Sequence, residues 1–273
     1  MARASEAARV RSWLFCPASR PERLEKAVAT GADAVIADLE DGVAPADKDA
    51  ARGHAVAWLT ADRTAGVIRC VRVNPLATEA GRRDVAALAD SGAAPDYVIV
   101  PKAERLEELE PLAAPILPLI ETARGLSAAE ALAAHPRVAG LVLGGADLAA
   151  DLGAEMSWEP LLYARSRLVH AAATAGVAVV DVPCLTLDDA AAVADETARV
   201  RRLGFTGKLA VHPSQVVPIN AAFTPTAAEL DRARRIVAAV AAAGGGVAVV
   251  DGKMVDAPVV RSAERALALA MRR

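Results

Sequence analysis

Eight short apolar runs alternate with eight helix-like segments over most of the chain. The runs are rich in Val, Ile and Leu and end at Gly, Pro or charged residues. Successive runs are not joined by Asn-Gly or Asp-Gly hairpin turns, and continuous apolar runs of this length are typical of parallel strands buried on both faces. Eight such units in 273 residues predict an α/β fold, a closed (β/α)₈ TIM barrel with a C-terminal helical extension.

The predicted strands run from Trp13 to Val211. They are Trp13–Cys16, Ala34–Ala37, Val67–Val73, Tyr97–Val100, Ile116–Thr122, Val138–Asp147, Ala178–Val182 and Lys208–Val211. Between them we expect a helix over Glu104–Leu112 and a loop or short helix over Leu148–Gly153. We also expect Ser19 to cap the first helix.

The remainder of the chain is not needed to complete a barrel. We therefore predict two parts, a catalytic barrel over residues 1–222 and a helical extension over residues 223–273. Gly244–Gly246 predicts a flexible joint inside the extension, because glycine tolerates backbone angles that other residues avoid. We expect the extension to act as a lid, as a contact between subunits, or as both.

Composition narrows the class of protein. A net charge of −3 and a pI near 5.9 give no indication of nucleic-acid binding, and no apolar run reaches membrane-spanning length. Cys16, Cys70 and Cys184 lack zinc-site spacing and lie in apolar runs, which indicates free buried thiols in a reducing compartment. The first residues lack the apolar core of a signal peptide. We expect a soluble, cytoplasmic protein.

Two acidic residues follow long apolar runs. Glu121 ends ILPLIET, and Asp147 follows a Gly144-Gly145 pair in VAGLVLGGADL. Catalytic groups of (β/α)₈ barrels lie at the carboxyl ends of the strands, and a buried acid costs free energy unless it is paired. No basic residue adjoins either acid in the sequence. We therefore predict that Glu121 and Asp147 bind Mg²⁺ through oxygen, with water and substrate completing the coordination shell.

A second group of candidates follows the second and third strands. Asp38, Glu40 and Asp41 form either a solvated acidic loop or a cluster whose mutual repulsion requires a nearby cation. Arg72 presents five donors in a fork that suits carboxylate or thioester oxygens. Its alternative role, a salt bridge to the acidic cluster, is compatible with the first. We take Arg72 as catalytic and substrate-binding, Glu40 as catalytic and Asp41 as substrate-binding.

Other polar residues receive a structural interpretation. Lys102 and Asp181, taken singly, are interpreted as polar strand ends that meet solvent, and Lys102 is a weak candidate for an aldolase Schiff base. His212 is a secondary candidate, because it can serve as a general base or as a structural hydrogen-bonding group.

These residues lie in segments that resemble the citrate lyase beta-subunit family (CitE-like proteins) within the HpcH/HpaI aldolase superfamily. The segments span nearly the whole chain in the family's order, and DLEDGV combined with LIETARG is specific to this branch. They are LFCPASRPERLEKA (14–27), DLEDGVAPADK (38–48), RVN (72–74), PKAE (101–104), LIETARG (119–125), GGADLAADLG (144–153), VHPSQV (211–216) and GKMVDAPVV (252–260).

The resemblance implies a (β/α)₈ barrel in which Glu121 and Asp147 hold Mg²⁺ and Arg72 binds substrate. It implies reversible cleavage of a 3-hydroxyacyl thioester, such as citramalyl-, malyl- or citryl-CoA, into an acyl thioester and a 2-oxo acid. The thioester partner is coenzyme A or an acyl carrier. The resemblance also implies a homo-oligomer, with a trimer favoured, whose tail reaches a neighbour's site.

This chemistry needs a carboxylate that protonates the enolate carbon of the departing thioester. Asp256 is our candidate; its alternative role is to cap the helix that follows. Two other functions stay open. One is a class II aldolase that makes pyruvate and an aldehyde from free hydroxy-oxo acids, and the other is a citrate lyase subunit that is active only with partners.

Overall fold

The computed structural model describes residues 6–63 and 66–270. Eight parallel strands close into a barrel in chain order, and the first strand pairs with both the second and the eighth. From β1 to β8 the strands are Ser12–Pro17, Ala34–Asp38, Ile68–Arg72, Tyr97–Val100, Ile116–Ile120, Gly140–Leu143, Ala178–Asp181 and Gly207–Ala210. The predicted (β/α)₈ TIM barrel is confirmed.

The helices occupy the segments between and after the strands. Numbered in chain order, α1 to α10 are Pro21–Val28, Lys48–Thr60, Glu79–Asp90, Ala123–Ala133, Gly145–Leu152, Trp158–Ala175, Ala190–Leu203, Val216–Phe223, Ala227–Ala242 and Ala257–Ala270. Short 3₁₀ segments lie at Pro45–Asp47, Leu106–Leu109 and Pro213–Gln215.

The barrel core draws buried side chains from all eight strands. Alternate residues of one strand share a face, so Leu117 and Leu119 of β5 both reach this core. The rings of Trp13 in β1 and Tyr97 in β4 meet edge to face, with centroids 5.7 Å apart. Each aromatic side chain removes a large apolar area from water. This packing fixes the strands whose carboxyl ends carry the candidate site.

Three local predictions are wrong. The helix predicted over Glu104–Leu112 is only a 3₁₀ turn, because Pro111 cannot donate a backbone hydrogen bond. Arg20, not Ser19, precedes α1, and no side chain caps it, since Pro21 is favoured as the first helical residue. The predicted strand 138–147 is also too long: β6 ends at Leu143 and the segment after it turns into helix α5.

The chain divides into two compact units, residues 1–221 and 222–273. In the second unit, β9 (Ala248–Val250) and β10 (Lys253–Val255) form an antiparallel hairpin. This hairpin shares a small core with α9 and α10. Gly244 and Gly245 have positive φ values and follow α9, so within this unit they make a turn between packed elements.

Two expectations from composition can be compared with the structure. Cys16, Cys70 and Cys184 are free and buried, as predicted. Among residues 6–63 and 66–270, no helix has both the length and the apolar content needed to cross a membrane.

Candidate active site

A cavity of about 420 Å³ lies among residues from the carboxyl ends of the barrel strands. Part of its wall is charged and part is apolar. The charged side chains are Asp38, Asp41, Arg72, Glu121 and Asp147, and the apolar part includes Phe15, Met156, Pro183, Leu185, Leu209 and Val211. Most of the residues predicted to form the site therefore line one cavity.

Arg72, the last residue of β3, is held by the acidic cluster. Its Nε and Nη2 donate to the two oxygens of Asp38 at 2.7 and 2.8 Å, and its guanidinium carbon lies 4.6 Å from the centre of the Phe15 ring. Burial lowers the pKa of Arg72, but hydrogen bonding to Asp38 and the charge of Glu40 raise it above its usual value. The guanidinium is therefore charged and fixed in one plane.

Glu40 is a buried carboxyl group with an incompletely satisfied oxygen. Its Oε2 lies 2.7 Å from Nη1 of Arg72. This ion pair lacks hydrogen-bond geometry, and Oε2 has no hydrogen-bond partner among the described residues. Burial raises the pKa of Glu40 to about 7, against the opposing charge of Arg72. A carboxyl group with such a pKa can exchange a proton near neutral pH.

Glu121 follows β5 and is only 5% exposed. Its Oε1 accepts a hydrogen bond of 2.8 Å from the backbone N–H of Lys102. The pKa of Glu121 is raised to about 8, first by burial and then by the charges of Glu40 and Asp147, while the hydrogen bond from the Lys102 amide acts in the opposite direction. The carboxylate form is thus costly while no cation balances it.

Asp147 lies in the first turn of α5 rather than on a strand. Its side chain is 42% exposed, and its Oδ2 lies 3.8 Å from Nζ of Lys102. The sequence offered no basic neighbour for Asp147, but the fold brings one from the end of β4. Lys102 is therefore more than a polar strand end, because it contacts both predicted metal ligands.

The carboxylates fit a hard divalent cation. Glu121 and Asp147 line one cavity, and Asp147 and Glu40 both raise the pKa of Glu121. Within the described part of the chain, no group of three or more His, Cys, Asp or Glu side chains is arranged to hold a metal ion. Protein sites for Mg²⁺ commonly use one or two carboxylates and leave the remaining positions to water and substrate.

The remaining predicted residues have different surroundings. Asp41 is exposed and lines the cavity. His212 Nδ1 contacts Ser214 Oγ at 2.8 Å and accepts from the Ser214 amide, which favours the structural role. Asp256 lies in the second unit, directly before α10, and its carbonyl oxygen accepts from the amide of Val260.

Asp181 is not a solvent-facing strand end, which corrects the prediction. It is fully buried and pairs with Arg165 at 2.9 Å and with Lys208 at 2.8 Å. Glu196 completes the group through Lys208 at 2.6 Å. We interpret this network as structural, because the positively charged side chains of Arg165 and Lys208 balance the buried carboxylate of Asp181.

The closed barrel, with acidic side chains gathered beside its strand ends, is the architecture of a (β/α)₈-barrel enzyme of the metal-assisted class. The chain belongs to the HpcH/HpaI aldolase/citrate lyase family, whose sequence model matches residues 11–114 and 110–213. The resemblance drawn from the sequence is confirmed.

Similar proteins match over nearly the whole chain. A (3S)-malyl-CoA thioesterase of Cereibacter sphaeroides is 41% identical over 270 residues, covering 95% of this chain and 94% of that protein. A citrate lyase subunit beta-like protein of Mycobacterium tuberculosis is 40% identical over 264 residues, covering 93% of each chain. The structure of CitE from M. tuberculosis in complex with magnesium, acetoacetate and coenzyme A has a TM-score of 0.85 and 36% identity, covering 96% of this chain and 98% of that one.

Proposed function

We propose that this protein is a Mg²⁺-dependent carbon–carbon lyase. It cleaves or forms a 3-hydroxyacyl thioester, such as citramalyl-, malyl- or citryl-CoA, and the products of cleavage are an acyl thioester and a 2-oxo acid. The observation that carries the proposal is the cluster of Glu40, Glu121 and Asp147 beside the fixed guanidinium of Arg72. In this cluster burial, and then the charges of Glu40 and Asp147, raise the pKa of Glu121. The relatives support it, because solved structures of that family contain magnesium with acetoacetate and coenzyme A or with oxaloacetate.

Glu121 and Asp147 are the residues that would hold Mg²⁺. When bound, the ion supplies a Lewis acid that acidifies the substrate hydroxyl and polarises the emerging ketone. A carboxylate beside a cation stays ionised. Glu121 and Asp147 would therefore carry no proton to donate, and other groups must supply the protons.

Arg72 stabilises the thioester fragment. Asp38 occupies two of its donors and fixes the guanidinium plane, and the donors that neither Asp38 nor Glu40 engages bind the thioester oxygen. Negative charge develops on that oxygen as the fragment becomes an enolate, so a prepositioned cationic donor lowers the barrier.

Two carboxyl groups move the protons. In cleavage, Glu40 takes the proton of the substrate hydroxyl, since its pKa of about 7 suits a general base. The C–C bond then breaks, the hydroxyl oxygen becomes the ketone oxygen, and the bonding electrons pass to the enolate. Asp256 donates a proton to the enolate carbon, which completes the acyl thioester. In the condensing direction the same groups act in reverse.

The proposal extends to the assembly. Residues 1–222 form the catalytic barrel, and residues 223–273 form a lid that contacts a neighbouring subunit in a homo-oligomer, with a trimer favoured. Asp256 serves the enolate carbon from this lid. A cytoplasmic location is supported by the free cysteines, which suit a reducing compartment.

A second candidate function is hydrolysis of the same thioester. It is favoured by the 41% identity to a (3S)-malyl-CoA thioesterase, and Glu40 would then activate water instead of the substrate hydroxyl. The products separate the two functions. A lyase releases a 2-oxo acid and an acyl-CoA, whereas a thioesterase releases free CoA and a hydroxy acid.

The experiment is a product assay on the purified chain alone with Mg²⁺. Citramalyl-, malyl- and citryl-CoA are supplied in turn, and 2-oxo acid, acyl-CoA and free thiol are quantified. We expect equal amounts of 2-oxo acid and acyl-CoA from at least one substrate. Free thiol without 2-oxo acid would identify a thioesterase, cleavage of free hydroxy-oxo acids without CoA would identify a class II aldolase, and activity only with added lyase subunits would identify a complex component.

A further inference from the structure

Lys102 adopts a backbone conformation that is unusual for its residue type. Its φ is +52°, in the left-handed region, and among the described non-glycine residues only Asp251 shares this feature. A residue with a β-carbon is disfavoured in this region. Conformations of this kind persist where surrounding structure enforces them, and they cluster at functional sites.

The left-handed turn places the Lys102 amide on a predicted metal ligand. The amide donates to Glu121 Oε1 at 2.8 Å, while Glu121 Oε2 lies beside Gly144, where a β-carbon would come within 2.6 Å. One carboxylate oxygen is therefore bonded to a main-chain amide, and the other lies where a side chain on Gly144 would clash with it. The ammonium of Lys102 also lies 3.8 Å from Asp147 Oδ2, so one residue contacts both carboxylates.

We propose that Lys102 is a positioning residue of the metal site. Its left-handed backbone holds the amide N–H against Glu121 and thereby sets the orientation of that carboxylate for the cation. The inference rests on the proposed function, because it takes Glu121 and Asp147 as the Mg²⁺ ligands. Partners that orient a metal ligand typically change metal affinity about 10–100-fold when they are lost.

The test is a series at Lys102 in the full-length protein, with Gly, Ala and Val as replacements. All three variants lack the ammonium, so charge is constant across the series. They differ in their tolerance of positive φ, which is free for glycine, strained for alanine and most unfavourable for β-branched valine. The dissociation constant of Mg²⁺ is measured by calorimetry without substrate, and melting curves establish that each variant is folded.

We expect Lys102→Gly to bind Mg²⁺ most tightly, Lys102→Ala less tightly, and Lys102→Val about tenfold or more weakly than Lys102→Gly. The matched controls are Asp251→Gly and Asp251→Val, at a position with the same φ of +52° in the hairpin turn. These controls should change melting temperature but leave the Mg²⁺ dissociation constant unchanged. A residue with a merely structural role would behave like Asp251.

Equal dissociation constants across the folded Lys102 variants would overturn the inference and leave the proposed function intact. If Lys102→Val does not fold, the Mg²⁺ dissociation constants of Lys102→Gly and Lys102→Ala are compared instead. Equal values for these two variants would likewise overturn the inference. A wild-type protein that binds no Mg²⁺ would overturn the proposed function and, with it, this role of Lys102.

Discussion

The carboxylate of Glu121 lies directly against the backbone of Gly144. A β-carbon on Gly144 would be 2.5 Å from Glu121 Cβ and 2.6 Å from its Oε2, well inside van der Waals contact. Gly144 immediately precedes α5, which carries Asp147. The close approach therefore couples the position of one predicted metal ligand to the start of the helix that presents the other.

Gly144→Ala should damage the metal site more than the fold. The new methyl group must displace Glu121, so we expect Mg²⁺ affinity to fall about tenfold or more. Calorimetric Mg²⁺ titration and turnover at saturating substrate measure the loss. Gly53→Ala is the control, because a β-carbon there meets nothing within 4 Å and helix α2 should gain about 0.5–1 kcal/mol. Wild-type metal affinity in Gly144→Ala would show that Glu121 is not a ligand.

Arg72→Lys should cause a large loss of activity. Lysine keeps the charge but not the fork that bonds both oxygens of Asp38, so the cation is no longer fixed in the cavity. We expect kcat to fall about 100-fold or more, as measured by steady-state kinetics. Arg63→Lys, at an exposed pair with Asp96, is the matched control and should stay within about twofold. Near wild-type kinetics for Arg72→Lys would assign Arg72 to structure.

The stability of the metal-free protein should fall as pH rises. Burial raises the pKa of Glu121 from 4.5 to about 8, so the folded state binds this proton more tightly than the unfolded state. The resulting stabilisation is fully present below pH 4.5 and is lost as pH rises through 8. Glu40, with a pKa of about 7, adds a change of the same sign.

Glu121→Gln removes one of these titrations and serves as the comparison. In EDTA at pH 8.5, we expect it to be more stable than wild type by roughly 1–3 kcal/mol, with a smaller difference at pH 5. Denaturant unfolding at both pH values measures this difference. Saturating Mg²⁺ should remove the pH-dependent loss in wild type, because the cation favours the carboxylate. An identical pH dependence in the two proteins would contradict the assignment.

Asp256→Asn separates a catalytic acid from a helix cap. Asparagine caps helices as well as aspartate does but cannot donate the proton, so we expect a folded protein with kcat reduced about 100-fold or more. Normal turnover in Asp256→Asn, with only a lowered melting temperature in Asp256→Ala, would make Asp256 a cap. Mixed oligomers of Asp256→Asn and Arg72→Ala should recover activity if Asp256 serves a neighbour's barrel. Verified mixed oligomers without recovery would place it over its own barrel.

The barrel could be predicted because its signals are local. Buried parallel strands have a distinctive apolar pattern, and their ends place Glu121 and Arg72 near one another without knowledge of the helices. Asp147 was assigned to the wrong element, because an apolar run across Gly144-Gly145 does not distinguish a strand from the start of a buried helix. Glu121, Arg72 and Asp147 nevertheless line one cavity, and their functional roles stay predictions.

Two features of the site depend on tertiary structure, and a third feature, a hairpin outside the barrel, has a local sequence signal. Nothing local marks Lys102 as left-handed, since a lysine adopts positive φ only where the surrounding fold stabilises it. The pKa of Glu40 depends on burial that only the closed barrel provides. The β9–β10 hairpin, however, was detectable: Asp251-Gly252, both with positive φ, is a strong sequence signal for a two-residue hairpin turn.

The most direct test of the central claim is the chelator dependence of carbon–carbon cleavage in wild type and Asp147→Ala. The hydroxyacyl-CoA ester that wild type cleaves in the product assay is supplied with Mg²⁺ or with EDTA, and the 2-oxo acid and acyl-CoA are quantified while circular dichroism establishes folding. We predict that wild type forms both products in equal amounts with Mg²⁺ and neither in EDTA. Asp147→Ala should be folded and form neither product. Full activity of Asp147→Ala in the presence of chelator would contradict the account.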